Sequence, residues 1–362
     1  LGAKSFEIHC SYATAEGELS FDTQRFPTIA ESVAAMQGMG MNVAVRLTPF
    51  VNTDSTVFQE GLKNHFLVQD PRSQVPGLTR WENGVAGLLD ATSPNATAWF
   101  LDRLKRLQNA TGVSLFTFDY GQVSYLPVEF QTAEALTDPC TYTQRYVGLA
   151  GQTRSPVMVR SAFQSQDVPA VILTIPKSVG DWGYDNGIKS VIPTALTLGL
   201  LGYPFVMTDQ EVDCVGDCLP SPEFLLRWLG LSAFLPGMRV SVPVWEYDRE
   251  TVGAARQLIQ FHQGTAASLI RKAAKEAAPA EPIIRPLWWL APDDPQAQVV
   301  DSEFLIGNDT LVAPVLEQGQ LGRKVYLPAG KWVDKLTGSS IDGGAWVEVS
   351  ARLDQVPYFT RA

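Results

Sequence analysis

Apolar, β-prone runs alternate with helical patterns over roughly the first 285 residues, the texture of an α/β fold. The runs expected to be strands are residues 5–9, 42–47, 114–119, 157–160, 170–175, 204–208 and 237–240. Between them, Ile29, Val33 and Met36 recur at helical spacing over 28–38. Trp99, Phe100, Leu101, Leu104 and Leu107 do the same over 94–109, behind a Ser93-Pro94 start. Further helices are expected at 141–150, 185–200, 222–234 and 250–274. A strand-then-helix rhythm calls for parallel strands joined by crossover helices.

These strands fall one short of the eight in a (β/α)8 TIM barrel. An open doubly wound sheet is the competing reading, but no GxGxxG opens any helix. The expected class is therefore α/β, a (β/α)8 TIM barrel lacking its first strand. Beyond Pro286 the pattern changes to short β runs such as Phe304-Leu305-Ile306-Gly307, Leu311-Val312-Ala313-Pro314-Val315, Lys324–Pro328 and Trp346-Val347-Glu348-Val349, separated by Gly, Pro and Asp turns. They predict a small antiparallel sandwich. The expected domains are residues 1–290 for the barrel and 291–362 for the sandwich.

The chain opens on Leu1-Gly2-Ala3-Lys4 without an initiator Met, and is read as a fragment. A barrel missing one strand leaves two edges unpaired. Such a chain is expected to be poorly stable alone, or to be completed by another chain, a homo-oligomer included.

Length, charge and cysteine content narrow the chemistry. A formal charge of -10 argues against nucleic acid as a partner. The longest apolar run, 191–207, is broken by Pro193, Gly199, Gly202 and Pro204, so no membrane segment is expected. Three histidines (His9, His65, His262) offer little to a metal site, there is no HExxH or GxSxG, and no cofactor is called for. Cys214 and Cys218 could close a small disulfide loop or remain thiols. With sequons at Asn95, Asn109 and Asn308 they point toward the secretory pathway, the endoplasmic reticulum lumen or the cell exterior.

Polar residues gather at the strand ends. Asp119 ends an apolar run and is followed by Tyr120-Gly121, which makes it a candidate nucleophile or, equally, a turn cap. Arg160 closes the next strand and Asp209 ends another, while Gly180-Asp181-Trp182-Gly183 supplies a second carboxylate. Two carboxylates converging from different strands suit glycoside hydrolysis.

The chain resembles glycoside hydrolase family 31, retaining α-glycosidases on a (β/α)8 barrel, and within it the branch of the myogenesis-regulating glycosidase. The resemblance rests on Trp81-Glu82-Asn83-Gly84 with Leu89-Asp90, on Phe118-Asp119-Tyr120-Gly121-Gln122, and on Trp182-Gly183-Tyr184-Asp185. Leu200-Leu201-Gly202-Tyr203-Pro204-Phe205, Arg227-Trp228-Leu229 and Pro286-Leu287-Trp288-Trp289 extend it along nearly the whole chain. It implies Asp119 as nucleophile, Arg160 as the arginine that contacts the sugar, Asp209 as a hydroxyl-binding carboxylate and Trp81 as an aromatic near the site. It implies Asp181 as general acid, twelve residues before Pro193, with Asp185, or no carboxylate at all, as alternatives. The implied substrate is an oligosaccharide or other glycoside ending in an α-linked hexose, galactose or glucose, with the branch favouring galactose.

Two departures qualify the resemblance. His9-Cys10 stands where relatives carry an acidic pair that binds sugar hydroxyls, leaving His9 to hydrogen-bond there, and Gln122 stands where relatives often carry Glu. Either change could redirect specificity. Together they also motivate a second reading, a catalytically silent relative that binds glycans or a protein partner.

Overall fold

The computed structural model describes residues 2–9, 11–73, 75–153, 155–174, 180–208, 219–278 and 281–362. Cys10, Asp209, Cys214 and Cys218 lie outside the described residues. The chain divides into two compact units, Ala3–Ile172 and Leu173–Ala362 with Leu1–Gly2.

In the first unit the order is β1 (Ser5–Ile8), α1 (Ile29–Gly38), β2 (Asn42–Leu47), β3 (Phe50–Asn52), α2 (Thr56–Lys63), β4 (Leu78–Trp81), β5 (Gly84–Leu88), α3 (Pro94–Thr111), β6 (Leu115–Phe118), α4 (Thr141–Gly151), β7 (Val157–Val159) and β8 (Ala170–Leu173). Strands β1, β2, β6, β7 and β8 pair in that order and all in parallel, with Ser5 opposite Asn42, Ala44 opposite Leu115, Phe116 opposite Val157, and Val157 opposite Ala170. This is TIM-barrel topology. Strand β2 is buried from Val43 to Leu47, covered on both faces, which is why it reads as a continuous apolar run, whereas β1 at the sheet edge leaves Ser5 and Phe6 exposed.

Caps set the helix limits. Ser93 Oγ accepts the N–H of Ala96, Pro94 opens α3, and Gly112 in the left-handed region closes it. Between β2 and α3 the chain inserts α2 and an antiparallel sheet ordered β3-β5-β4. Its β4–β5 turn is the two residues Glu82-Asn83, followed by Gly84 at φ +128°.

In the second unit, the N–H of Thr174 donates to Met207 C=O (3.0 Å). Met207 closes β9 (Val206–Met207) and bridges Gly237 in parallel, so the strand expected at 237–240 contributes one bridge. The helices are α5 (Val191–Leu200), α6 (Pro222–Ser232), α7 (Arg249–Phe261) and α8 (Ala267–Glu276). Helix α5 begins later than the pattern predicts, after a 3-10 turn at Ile188–Ser190. The single helix expected over 250–274 is broken by a π turn at His262–Ala266, where His262 Nδ1 lies 2.8 Å from Ala233 C=O.

The C-terminal elements are β10 (Ile284–Arg285), α9 (Pro295–Val299), β11 (Phe304–Ile306), β12 (Thr310–Val312), β13 (Gly322–Leu327), β14 (Lys331–Asp334), β15 (Ser340–Asp342), β16 (Ala345–Ser350) and β17 (Tyr358–Arg361). They form an antiparallel sheet ordered β10-β11-β12-β17-β14-β15 and a separate β13–β16 pair. Leu305, Leu311, Trp332 and Phe359 fill its core.

A second core joins α5–α8 to this region. Phe224, Trp228, Leu229, Phe234 and Ala255 cluster with Phe304, Ile306, Val312 and Val356. Each fully buried Leu or Phe of this kind contributes about 1.5–3 kcal/mol. Arg227 of α6, also buried, donates to the carbonyls of Gln320 (2.7 Å), Arg352 (2.9 Å) and Ala351 (3.2 Å).

Candidate active site

Asp119 is the first residue beyond β6, where the strand leaves the sheet, and its N–H donates to Leu47 C=O (2.8 Å). Its side chain is wholly buried. Arg46, on β2, ion-pairs with Oδ2, and Arg160, directly after β7, ion-pairs through Nε with Oδ1. The N–H of Tyr120 also donates to Oδ1 (2.7 Å). A buried carboxylate needs such compensation, since each unpaired charge taken from water costs several kcal/mol. The arrangement brings Asp119 and Arg160 together and adds Arg46, which the sequence reading passed over. Its signal was one charge in Val43-Ala44-Val45-Arg46-Leu47, a strand with apolar surroundings on both faces.

The backbone turns sharply after Asp119. Tyr120 and Gly121 both have positive φ, +56° and +83°. A β-region escape is blocked by three anchors: Ser161 Oγ donates to Tyr120 C=O (2.7 Å), Thr143 Oγ1 to Gly121 C=O (2.8 Å), and Tyr146 OH to Asp119 C=O (3.1 Å). A non-glycine residue in the left-handed region stores strain of the kind found at functional sites.

Trp81 ends β4 beside this turn. Its ring stacks on Phe50 at 4.2 Å and meets Tyr120 edge-on at 5.4 Å, while Nε1–H donates to Asn52 Oδ1 (2.9 Å). Tyr125 joins the layer against Phe50 and Tyr120. Trp81 is thus buried, with one face covered by Phe50. Tyr120 OH donates to Glu82, and burial, then this bond, push the phenol far above its ordinary range.

His9, just past β1, lies with Nδ1 3.4 Å from Arg46 Nη1, and Glu7 accepts from Thr117 Oγ1 (2.8 Å). Arg46 also lines a cavity of about 320 Å³ with Glu16, Arg25, Thr48, Asn52 and Asn83. Burial raises the Glu16 carboxyl above its ordinary value, against the hydrogen bond from Asn83 Nδ2 (3.3 Å). A polar cavity near the low end of ligand-pocket size is suited to a small hydroxylated ligand. Gln122 follows Gly121, with Oε1 enclosed and without a hydrogen-bond partner among the described residues. No group of three or more His, Cys, Asp or Glu among the described residues could hold a metal ion.

Asp181 belongs to the other unit. Its Oδ1 accepts the N–H of Gly183 (2.7 Å), an Asx turn, and its C=O accepts the N–H of Ile188 (2.9 Å). Asp185 sits in the same loop, ahead of the 3-10 turn. Asp209 lies outside the described residues.

The profile described as "Glycosyl hydrolases family 31 TIM-barrel domain" matches residues 4–264, and "Glycosyl hydrolase family 31 C-terminal domain" matches 280–362. The chain belongs to glycoside hydrolase family 31. It is 38% identical to the myogenesis-regulating glycosidase of Mus musculus, over 98% of this chain and 51% of that protein. It is 31% identical to the SITS-binding protein of Tetronarce californica, over 89% and 48%. A family 31 sulfoquinovosidase from E. rectale, solved with an aza-sugar inhibitor, superposes with a TM-score of 0.87 at 21% identity, covering 98% of this chain and 57% of that one. Family homologues include proteins named α-glucosidase, α-xylosidase and sulfoquinovosidase. The chain spans about half the length of the curated relatives it matches.

Proposed function

We propose that this protein is a retaining α-glycosidase that removes a terminal α-linked hexose, galactose or glucose. In this reading Asp119 attacks the anomeric carbon, and Asp181 protonates the leaving oxygen and then activates water. Arg160, Asp209, Trp81 and His9 bind the sugar. The observation that carries the proposal is the placement of Asp119: a fully buried carboxylate at a barrel strand end, its charge balanced by Arg46 and Arg160. Retention requires the two carboxyl groups about 5–5.5 Å apart.

The test is turnover of aryl α-galactoside and aryl α-glucoside by the wild-type chain and by Asp119→Asn, with a mechanism-based hexose label. Turnover lost in the variant, and a label captured on Asp119, support the proposal. Undiminished turnover in Asp119→Asn would overturn it.

A second reading, a catalytically silent glycan- or protein-binding relative, draws on the same geometry. Both oxygens of Asp119 are engaged by arginines and the side chain has no exposure. Reversible hexose binding without labelling would favour it. For the compartment we infer the secretory pathway, supported by the exposure of Asn95, Asn109 and Asn308.

A further inference from the structure

The loop that carries Asp181 is fastened at both of its ends and on its flank. Internally, Asp181 C=O accepts the N–H of Ile188 (2.9 Å) and Gly183 C=O accepts the N–H of Lys189 (3.2 Å). Gly187 fills the remaining space: a Cβ there would lie 2.6 Å from the carbonyl oxygens of Asp181 and Gly183. The turn is therefore one stiff piece, in which displacement of Lys189 carries Gly183 and Asp181 with it. On its flank, Trp182 meets Phe224 of α6 edge-on at 5.2 Å.

The outer attachment comes from the C-terminal region. Lys189 Nζ forms an ion pair with Glu317 (2.6 Å) and lies 5.6 Å from the centre of the Tyr184 ring. Asp301 lies beside the Tyr184 hydroxyl; burial first, then Asp301, raise its pKa. Tyr184 is 57% exposed, and the Glu317 side chain 63%. Exposed pairs of this kind add little to global stability. Their consequence here is geometric, because they hold a short irregular loop in one position.

We propose that Tyr184 and Lys189, through Asp301 and Glu317, are positioning residues for the Asp181 carboxyl. The inference rests on the reading of Asp181 as the general acid. A proton donor displaced by about 1 Å can cost on the order of 100-fold in rate. That loss falls on substrates whose leaving group needs the proton, and spares those whose leaving group departs unaided.

The experiment compares Tyr184→Phe, Glu317→Ala and Asp181→Ala with the wild-type chain. The substrates are α-hexosides bearing a poor leaving group (methyl) and a good one (2,4-dinitrophenyl), for galactose and glucose. Expected for Tyr184→Phe and Glu317→Ala is a roughly 10–100-fold drop in kcat/KM on the methyl glycoside, and under about 3-fold on the dinitrophenyl glycoside, with unchanged melting temperature. If Asp181→Ala shows that split and the other two variants match wild type, the positioning inference fails while the acid assignment survives. Equal losses on both substrates in Tyr184→Phe and Glu317→Ala overturn it as well. If Asp181→Ala shows no split, or the wild-type chain turns over neither sugar, the acid assignment fails and takes the inference with it.

Discussion

The ring of Tyr146 occupies the space that any side chain at residue 121 would need: a Cβ built on Gly121 comes within 3.0 Å of it. The same tyrosine donates to Asp119 C=O, so one residue both enforces the glycine and fixes the carboxylate's backbone. Gly121→Ala is expected to destabilise the fold by about 2–4 kcal/mol, overpacking and left-handed strain together. A urea midpoint shifted by less than a tenth of its value would contradict this.

Arg46 and Asp119 form a buried pair whose removal by halves is costly. Arg46→Met leaves Asp119 balanced by Arg160 alone and its Oδ2 without the Arg46 ion pair, and should lose about 1–3 kcal/mol. Asp119→Asn added to that variant takes the carboxylate from buried Arg160 and should deepen the loss, and the double-mutant cycle then gives the Arg46–Asp119 coupling energy.

Glu303 gives a pH dependence of stated sign. It is fully buried; desolvation, opposed by Arg323 (3.1 Å) and the N–H of Tyr326 (3.0 Å), raises its carboxyl from 4.5 to about 7. Below pH 4.5 folded and unfolded chains are both protonated here. Between 4.5 and 7 only the unfolded chain releases the proton, so stability falls with rising pH, by about 3 kcal/mol at most, and the loss is complete above 7. Glu303→Gln should flatten that part of the stability curve. Equal slopes in chemical denaturation from pH 4.5 to 7.5 would count against it.

Arg227 is 3% exposed and donates to the main-chain carbonyls of Gln320, Ala351, Arg352 and Gln355. Arg227→Met should cost about 2–4 kcal/mol, each stranded acceptor contributing about 1–3 kcal/mol less relaxation. Arg227→Lys should not rescue it, because an ammonium cannot span the same fork of acceptors. Thermal midpoints of the three proteins decide the matter.

Strands β2 and β6 were legible because parallel strands buried on both faces leave nearly unbroken apolar runs. Asp119 and Arg160 stood out as polar residues ending such runs. Arg46 did not, since it lies inside one and its role depends on a partner 73 positions away. The inserted β3-β5-β4 sheet was missed for a different reason. Its strands are short and held by pairings between residues such as Phe50 and Leu88, while the only local sign was Asn83-Gly84. Strands β14, β15 and β17 carry exposed Lys331, Ser340 and Arg361, and β14 and β17 gain definition through their antiparallel neighbours. Asp185 was expected within a helix, but the space at Gly187 commits the preceding residues to a turn.

The two family profiles part between residues 264 and 280, yet the apolar cluster of α5–α8 runs through Phe304, Val312 and Val356 without a seam. Homology and cohesion therefore draw their borders in different places. A protease cutting near residue 279 would leave the severed pieces still embracing, and a gene shortened at that point would encode a chain with a greasy flank open to solvent.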